Sequence, residues 1–107
     1  MTIQIRALQM DMTPAIQAYV EEKFQMLEKY QADIISIDVE VARDSHHNKG
    51  DIFSCSANVH IPKEVLHIEK QEEDLYKAID KVKDHFQEVL VEAKERQRSL
   101  ERRAGEE

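Results

Sequence analysis

With one cysteine, two prolines, two glycines and no tryptophan, this sequence is short of several kinds of chemistry from the outset. Cys55 has no second cysteine to form a disulfide with, and its place in an apolar alternation suits a small buried side chain rather than a reactive thiol. Gly50 and Gly105 are the only glycines, so there is no glycine-rich loop of the kind that cradles phosphates. Long apolar runs are missing too: none approaches the roughly 20 residues a membrane-spanning helix needs. The amino terminus alternates polar and apolar residues and does not resemble a secretory leader. These absences point to a cytoplasmic protein with no membrane partner.

What is present is the composition of a folding chain. An apolar fraction of 41% with 35% charged residues is ordinary for a globular protein, and 107 residues suffice for one core. The formal net charge of -7 is unfavourable for a protein that approaches nucleic acid, so RNA binding would require a local basic face. The densest basic run is carboxyl-terminal, where Lys94, Arg96, Arg98, Arg102 and Arg103 stand against Glu95 and Glu101. The same run also suits a solvated, mixed-charge helix end.

Thr2 to Leu8 alternates, with Ile3, Ile5 and Ala7 on one face, which is the period of a half-buried strand. Thr13-Pro14 predicts a helix start, because threonine caps a first turn and proline fits the first helical position, where no N–H is needed. That helix is expected to reach about Tyr30, with Ile16, Tyr19, Val20, Phe24, Leu27 and Tyr30 in one apolar stripe. A second alternation places Ile35, Ile37, Val39 and Val41 inward. After a polar loop from Arg43 to Asp51, a third does the same for Phe53, Cys55, Ala57, Val59 and Ile61. Pro62-Lys63-Glu64 predicts a turn, and a shorter strand covers Val65 to Lys70 with Leu66 and Ile68 inward. Glu72-Glu73-Asp74 marks the start of a long helix, since negative charge suits the helix dipole there. Its inner stripe is Leu75, Ile79, Val82, Phe86, Val89, Leu90 and Ala93.

The order β-α-β-β-β-α, with one polar face per strand, predicts an α+β fold: a four-stranded sheet with two helices packed on one face and the other face left to water. Residues 1–95 form the single expected domain. Residues 96–107 lose the apolar period and are expected to fray as a charged tail.

No residue constellation points to catalysis, a cofactor or a small-molecule substrate. His46 and His47 are sequence neighbours whose side chains normally diverge, and no second cysteine supports them as metal ligands. His60 and His67 flank the Pro62 turn and could face each other across a hairpin, as a solvated pair on a polar face. Glu72-Glu73-Asp74 has no accompanying nucleophile or pocket-forming loop, so helix capping is the better reading. On the polar sheet face, Ser36, Asp38, Glu40, Ser54, Ser56 and Asn58 offer no ring for a base to stack on. If RNA is bound, the exposed flanks of the helices must read phosphate and shape, through Lys23, Lys29, Lys77, Lys81 and Lys83.

Several segments together are similar to a known family. They are His47-Asn48-Lys49-Gly50-Asp51-Ile52-Phe53, Ile61-Pro62, Leu66-His67-Ile68-Glu69 and, above all, Asp74-Leu75-Tyr76-Lys77-Ala78-Ile79-Asp80. With Thr13, Ala15, Ile16, Tyr19, Val20, Lys23, Phe24 and Leu27-Glu28-Lys29-Tyr30 upstream, the chain resembles the short form of the ribosome hibernation promoting factors, also called ribosome-associated translation inhibitors or sigma-54 modulation proteins. The resemblance implies the same β-α-β-β-β-α fold and a stress-response role. It also implies rRNA binding in the channel of the small ribosomal subunit used by messenger and transfer RNA, with translation inhibited by occlusion. Basic residues on both helices face rRNA in that family, and Lys23 and Lys29 keep such positions. Departures are Glu88, Glu92, Gln17 and Met26, where relatives typically carry a basic residue, and His85, where lysine is common. Lys77, Lys81, Lys83 and Lys94 are the candidates to compensate. The long form's dimerising carboxyl-terminal domain is not expected. A second reading stays open: a divergent, non-ribosomal member of the fold that acts as a protein–protein interaction module or associates weakly with itself.

Overall fold

A computed structural model of the chain describes residues 1–45 and 50–106, with side chains up to Leu100. The loop histidines His46 and His47 weighed above as metal ligands lie outside the described residues, as do Asn48 and Lys49 of the family-like segment. The elements follow the order β1 (Thr2–Leu8), α1 (Pro14–Gln25), β2 (Ser36–Asp44), β3 (Ile52–Ile61), β4 (Glu64–Glu72) and α2 (Leu75–Glu106). The sheet order is β1-β2-β3-β4, with β1 parallel to β2 and the other neighbours antiparallel. A parallel pair needs a crossover, and α1 supplies it.

Strand register sorts the faces as the alternation predicts. Ile5, Val39, Ala57 and Ile68 form one row across all four strands, and Ile3, Ile37, Val59 and Leu66 form the next. These side chains pack against Ile16, Val20 and Phe24 of α1 and Leu75, Ile79, Val82, Phe86, Leu90 and Ala93 of α2 in one core. Both helices therefore cover the same sheet face. The opposite face carries rows such as Gln4, Asp38, Asn58 and His67, and Arg6, Glu40, Ser56 and Glu69.

The helix starts follow local chemistry. Thr13 Oγ1 accepts from the Ile16 N–H at 3.1 Å with Pro14 behind it, and Asp74 Oδ1 accepts from the Tyr76 N–H at 3.0 Å. Asp74 alone does the capping. Glu72 belongs to β4, so only Glu73 and Asp74, in the bend before Leu75, stand at the helix start. The end of α1 also differs from the expectation of one helix to Tyr30. Met26–Lys29 is a 3-10 turn, closed by the Tyr30 N–H donating to the Leu27 carbonyl at 3.0 Å. No glycine is available for a left-handed cap, so the last turn tightens instead.

Strand boundaries are corrected at β4, which runs Glu64–Glu72 rather than Val65 to Lys70 because Glu64, Gln71 and Glu72 pair with Ile61, Ser54 and Phe53, and at both ends of β2. β2 runs on through Arg43 and Asp44, which were expected in the loop, because they pair with Phe53 and Ile52. Ile35 was expected inward but is 60% exposed, while Ile34 is 6% exposed and joins the core. β2 begins only at Ser36, so Ile35 lies outside its alternation. At the β3–β4 turn, Pro62 precedes Lys63 at φ 73, the combination of fixed and positive φ that a tight turn uses. The α2 backbone stays helical to Glu106, beyond Ala93, the last core residue.

Candidate nucleic-acid interface

The six candidate lysines are divided between two flanks of the helical layer. Along α2, successive residues turn by about 100°, so Tyr76, Asp80, Lys83, Gln87 and Lys94 follow one flank and Lys77, Lys81, His85, Glu88 and Glu92 another. The first flank faces α1. There Tyr19 meets Tyr76 edge-on, with ring centroids 4.8 Å apart, and its hydroxyl donates to Asp80 Oδ1 at 2.6 Å. The Lys23 ammonium lies 5.4 Å from the centre of the Tyr19 ring and 3.8 Å from the same Asp80 oxygen. Lys83 is close by in sequence but mostly covered, with its side chain 11% exposed and its ammonium 3.4 Å from Asp84. Lys94 is half-buried further along this flank.

The second flank is different in charge. Lys81 is paired with Glu72 of β4, and a shallow groove gathers Lys70, Lys81, Asp84, His85 and Glu88. Glu88 and Glu92 are exposed one turn apart. Lys77 is exposed at the amino-terminal end of α2, beside Glu73 and Asp74. Lys29 is exposed on the 3-10 turn that ends α1. Among the described residues, neither Lys29 nor Lys77 has a carboxylate within ion-pair distance. The lysines with no close carboxylate are thus spread over both helices, Lys29 at the end of α1 and Lys77 at the start of α2, while further along the flank towards β4 Lys81 is paired and Glu88 and Glu92 are exposed.

The Tyr19–Tyr76 pair escaped the sequence reading, which placed Tyr19 in the apolar stripe and gave Tyr76 no role. Tyr76 is 38% exposed. The available signal was the spacing of Tyr76 and Asp80, four residues apart on a helix, which puts a ring and a carboxylate side by side. The hydrogen bond to Asp80, then partial burial, then the negative charges of Asp80, Glu22 and Asp74 push the Tyr19 hydroxyl from 10.0 up to about 12. Tyr19 is therefore a neutral donor at physiological pH.

The open sheet face is polar and internally paired. Arg6 bridges to Glu40 at 2.5 Å, His60 Nε2 lies 3.0 Å from Asp38 Oδ2, and His67 Nδ1 lies 2.7 Å from Asn58 Oδ1. The hairpin register sets His67 opposite Asn58 and His60 opposite Val65, so the two histidines do not face each other as the sequence allowed. Each takes its own neighbour instead. Cys55 is fully buried on the opposite face, and burial pushes its thiol from 9.0 up to about 12.

The family model described as sigma 54 modulation protein / S30EA ribosomal protein matches residues 3–98. A curated relative from Azotobacter vinelandii, described as ribosome hibernation promoting factor, is 31% identical over 99% of this chain and 92% of its own length. Another from Haemophilus influenzae, described as ribosome-associated factor Y, is 32% identical over the same shares. Among solved structures, a ribosomal subunit interface protein from Coxiella burnetii superposes with a TM-score of 0.78 at 21% identity, covering 88% of this chain and 98% of its own. The amino-terminal domain of Thermus thermophilus Protein Y gives a TM-score of 0.73 at 25% identity, covering 86% of this chain and 98% of its own.

Proposed function

Because this chain belongs to the sigma 54 modulation protein / S30EA ribosomal protein family, we propose that it is a cytoplasmic ribosome hibernation factor. It binds the small ribosomal subunit in the messenger and transfer RNA channel and inhibits translation by occupying that space, without catalysis or a cofactor. The relatives' descriptions as hibernation promoting factor and ribosome-associated factor, over nearly the full length of each protein, carry the reading. The geometry supports it: Lys23 is presented on α1 and Lys29 on the 3-10 turn that ends it, while the open sheet face pairs Arg6 with Glu40 and His60 with Asp38 and carries no tyrosine, phenylalanine or tryptophan as a stacking platform.

Lys23, Lys29, Lys77 and Lys94 are the side chains assigned to rRNA phosphate. Lys81 and Lys83 contribute less, because each already has a carboxylate partner. Each phosphate neutralised releases counterions, so binding weakens as salt rises. Glu88 and Glu92 oppose docking wherever their flank approaches rRNA.

Sucrose-gradient co-sedimentation with small subunits at low and moderate salt tests the proposal. The parent is expected in the subunit peak at low salt, with Glu88→Arg plus Glu92→Lys strengthening binding and Lys23→Glu plus Lys29→Glu abolishing it. If the parent and the charge-restored variant both stay at the top of the gradient at low salt, the ribosomal reading fails. The exposed acidic pair and the net charge of -7 then favour the alternative, a protein–protein interaction module.

A further inference from the structure

Two donors converge on one oxygen between the helices. Asp80 Oδ1 receives the Tyr19 hydroxyl at 2.6 Å, while the Lys23 ammonium stands off at 3.8 Å, resting against the Tyr19 ring. The short contact is a charge-assisted hydrogen bond, and the long one is at the outer limit of an ion pair. With its side chain 43% exposed, Asp80 has room to move toward Lys23, whose own side chain is 30% exposed. The Tyr19 hydroxyl already occupies the oxygen nearest Lys23. Tyr19 is in turn fixed by its edge-on contact with Tyr76, whose backbone is tied into the Asp74 cap.

We propose that Tyr19 is a positioning residue that holds Asp80 back from Lys23, leaving the Lys23 ammonium available to an RNA phosphate. The consequence for binding rests on the ribosomal reading above; the arrangement itself does not. In the free protein a phosphate oxygen has only a loose carboxylate contact to displace. Without the hydroxyl, Asp80 closes on Lys23, and an incoming phosphate must compete with a formed ion pair. Without the Asp80 charge, the carboxylate nearest Lys23 no longer competes for it or repels the phosphate.

Three variants test this: Tyr19→Phe, which keeps the ring; Asp80→Asn, which keeps an acceptor for the tyrosine; and the two combined. Small-subunit binding at fixed low salt is expected to weaken about two- to fivefold in Tyr19→Phe and to strengthen by a similar factor in Asp80→Asn, the range set by exposed ion pairs. The double variant should behave like Asp80→Asn alone, since the hydroxyl has nothing left to restrain. A second readout needs no ribosome: the rate at which trace acetic anhydride modifies the Lys23 amine, followed by peptide mass spectrometry. That rate should fall in Tyr19→Phe and rise in Asp80→Asn. An unchanged Lys23 rate in Tyr19→Phe overturns the proposal whether or not the parent binds ribosomes. Expected amine rates with no subunit binding by any variant would sustain the positioning role and reject the ribosomal reading instead.

Discussion

Replacing Phe86 by alanine probes the contact that holds the two helices together over the sheet. Phe86 is fully buried on α2, and its ring centroid lies 6.5 Å from that of Phe24 on α1 at an interplanar angle of 66°. A buried phenylalanine removes on the order of 150–250 Å² from water, worth about 4–6 kcal/mol at roughly 25 cal/mol per Å². Alanine keeps a small part of this. The edge-to-face pair adds about 0.5–1.5 kcal/mol. Together these place the loss at the upper end of the roughly 3–5 kcal/mol seen for such truncations, a large fraction of the 5–15 kcal/mol that stabilises a typical domain. Urea denaturation followed by far-ultraviolet circular dichroism measures it, with Phe86→Leu as the companion that keeps much of the volume and should cost far less. A loss below about 1 kcal/mol for the alanine variant, at unchanged m-value, would refute this account of how α1 and α2 share one core.

Val39→Asp places a carboxylate in the central strand β2 at a position only 3% exposed, between Ile5 and Ala57, and should cost several kcal/mol by rough estimate. The variant should regain part of that stability in acid, where the carboxyl is protonated, and thermal melts from neutral to acidic pH check both effects. For Cys55, the folded-state pKa of about 12 lies above the ordinary 9.0, so its contribution is complete below pH 9 and lost as pH rises from 9 toward 12. In that window stability should fall by up to about 1.4 kcal/mol per pH unit on its account, and Cys55→Ala should show a shallower alkaline decline than the parent. A thiol reagent should modify Cys55 only as fast as the protein opens, rising sharply in denaturant.

The fold was legible because its signals are local and repeated. Val39 and Val41, Cys55, Ala57 and Val59, and the stripe from Leu75 to Ala93 each keep one period for several residues, and each ended buried apart from the half-buried Val89. The errors lie at ends, where tertiary pairing decides. Ile35 shares the parity of Ile37 but precedes the strand, and Arg43 and Asp44 look like loop residues yet are drawn into β2 by their partners on β3. His60 and His67 show the same limit, because the turn fixes a register that sequence spacing leaves open.

For the candidate site, sequence supplied the lysines but not their company. A lysine count treats Lys23, Lys29, Lys77, Lys81, Lys83 and Lys94 alike, whereas the fold gives each a different surrounding. Lys81 meets Glu72 only because β4 runs beside α2, and Lys23 meets Asp80 only because α1 packs against the flank that carries Tyr76. Tyr19 and Lys23 thereby share one carboxylate oxygen of Asp80, 61 and 57 positions further along the chain. Under an overall charge of -7, the free energy of meeting a polyanion then depends less on the number of lysines than on which of them the fold leaves with a weak partner. Exposed charges farther off than about 8–10 Å are largely screened at physiological ionic strength, so the nearest carboxylates decide the matter. Of the six candidate lysines, Lys29, Lys77 and Lys94 have no ion pair among the described residues and Lys23 has only the 3.8 Å contact with Asp80, whereas Lys81 and Lys83 each sit against a nearer carboxylate.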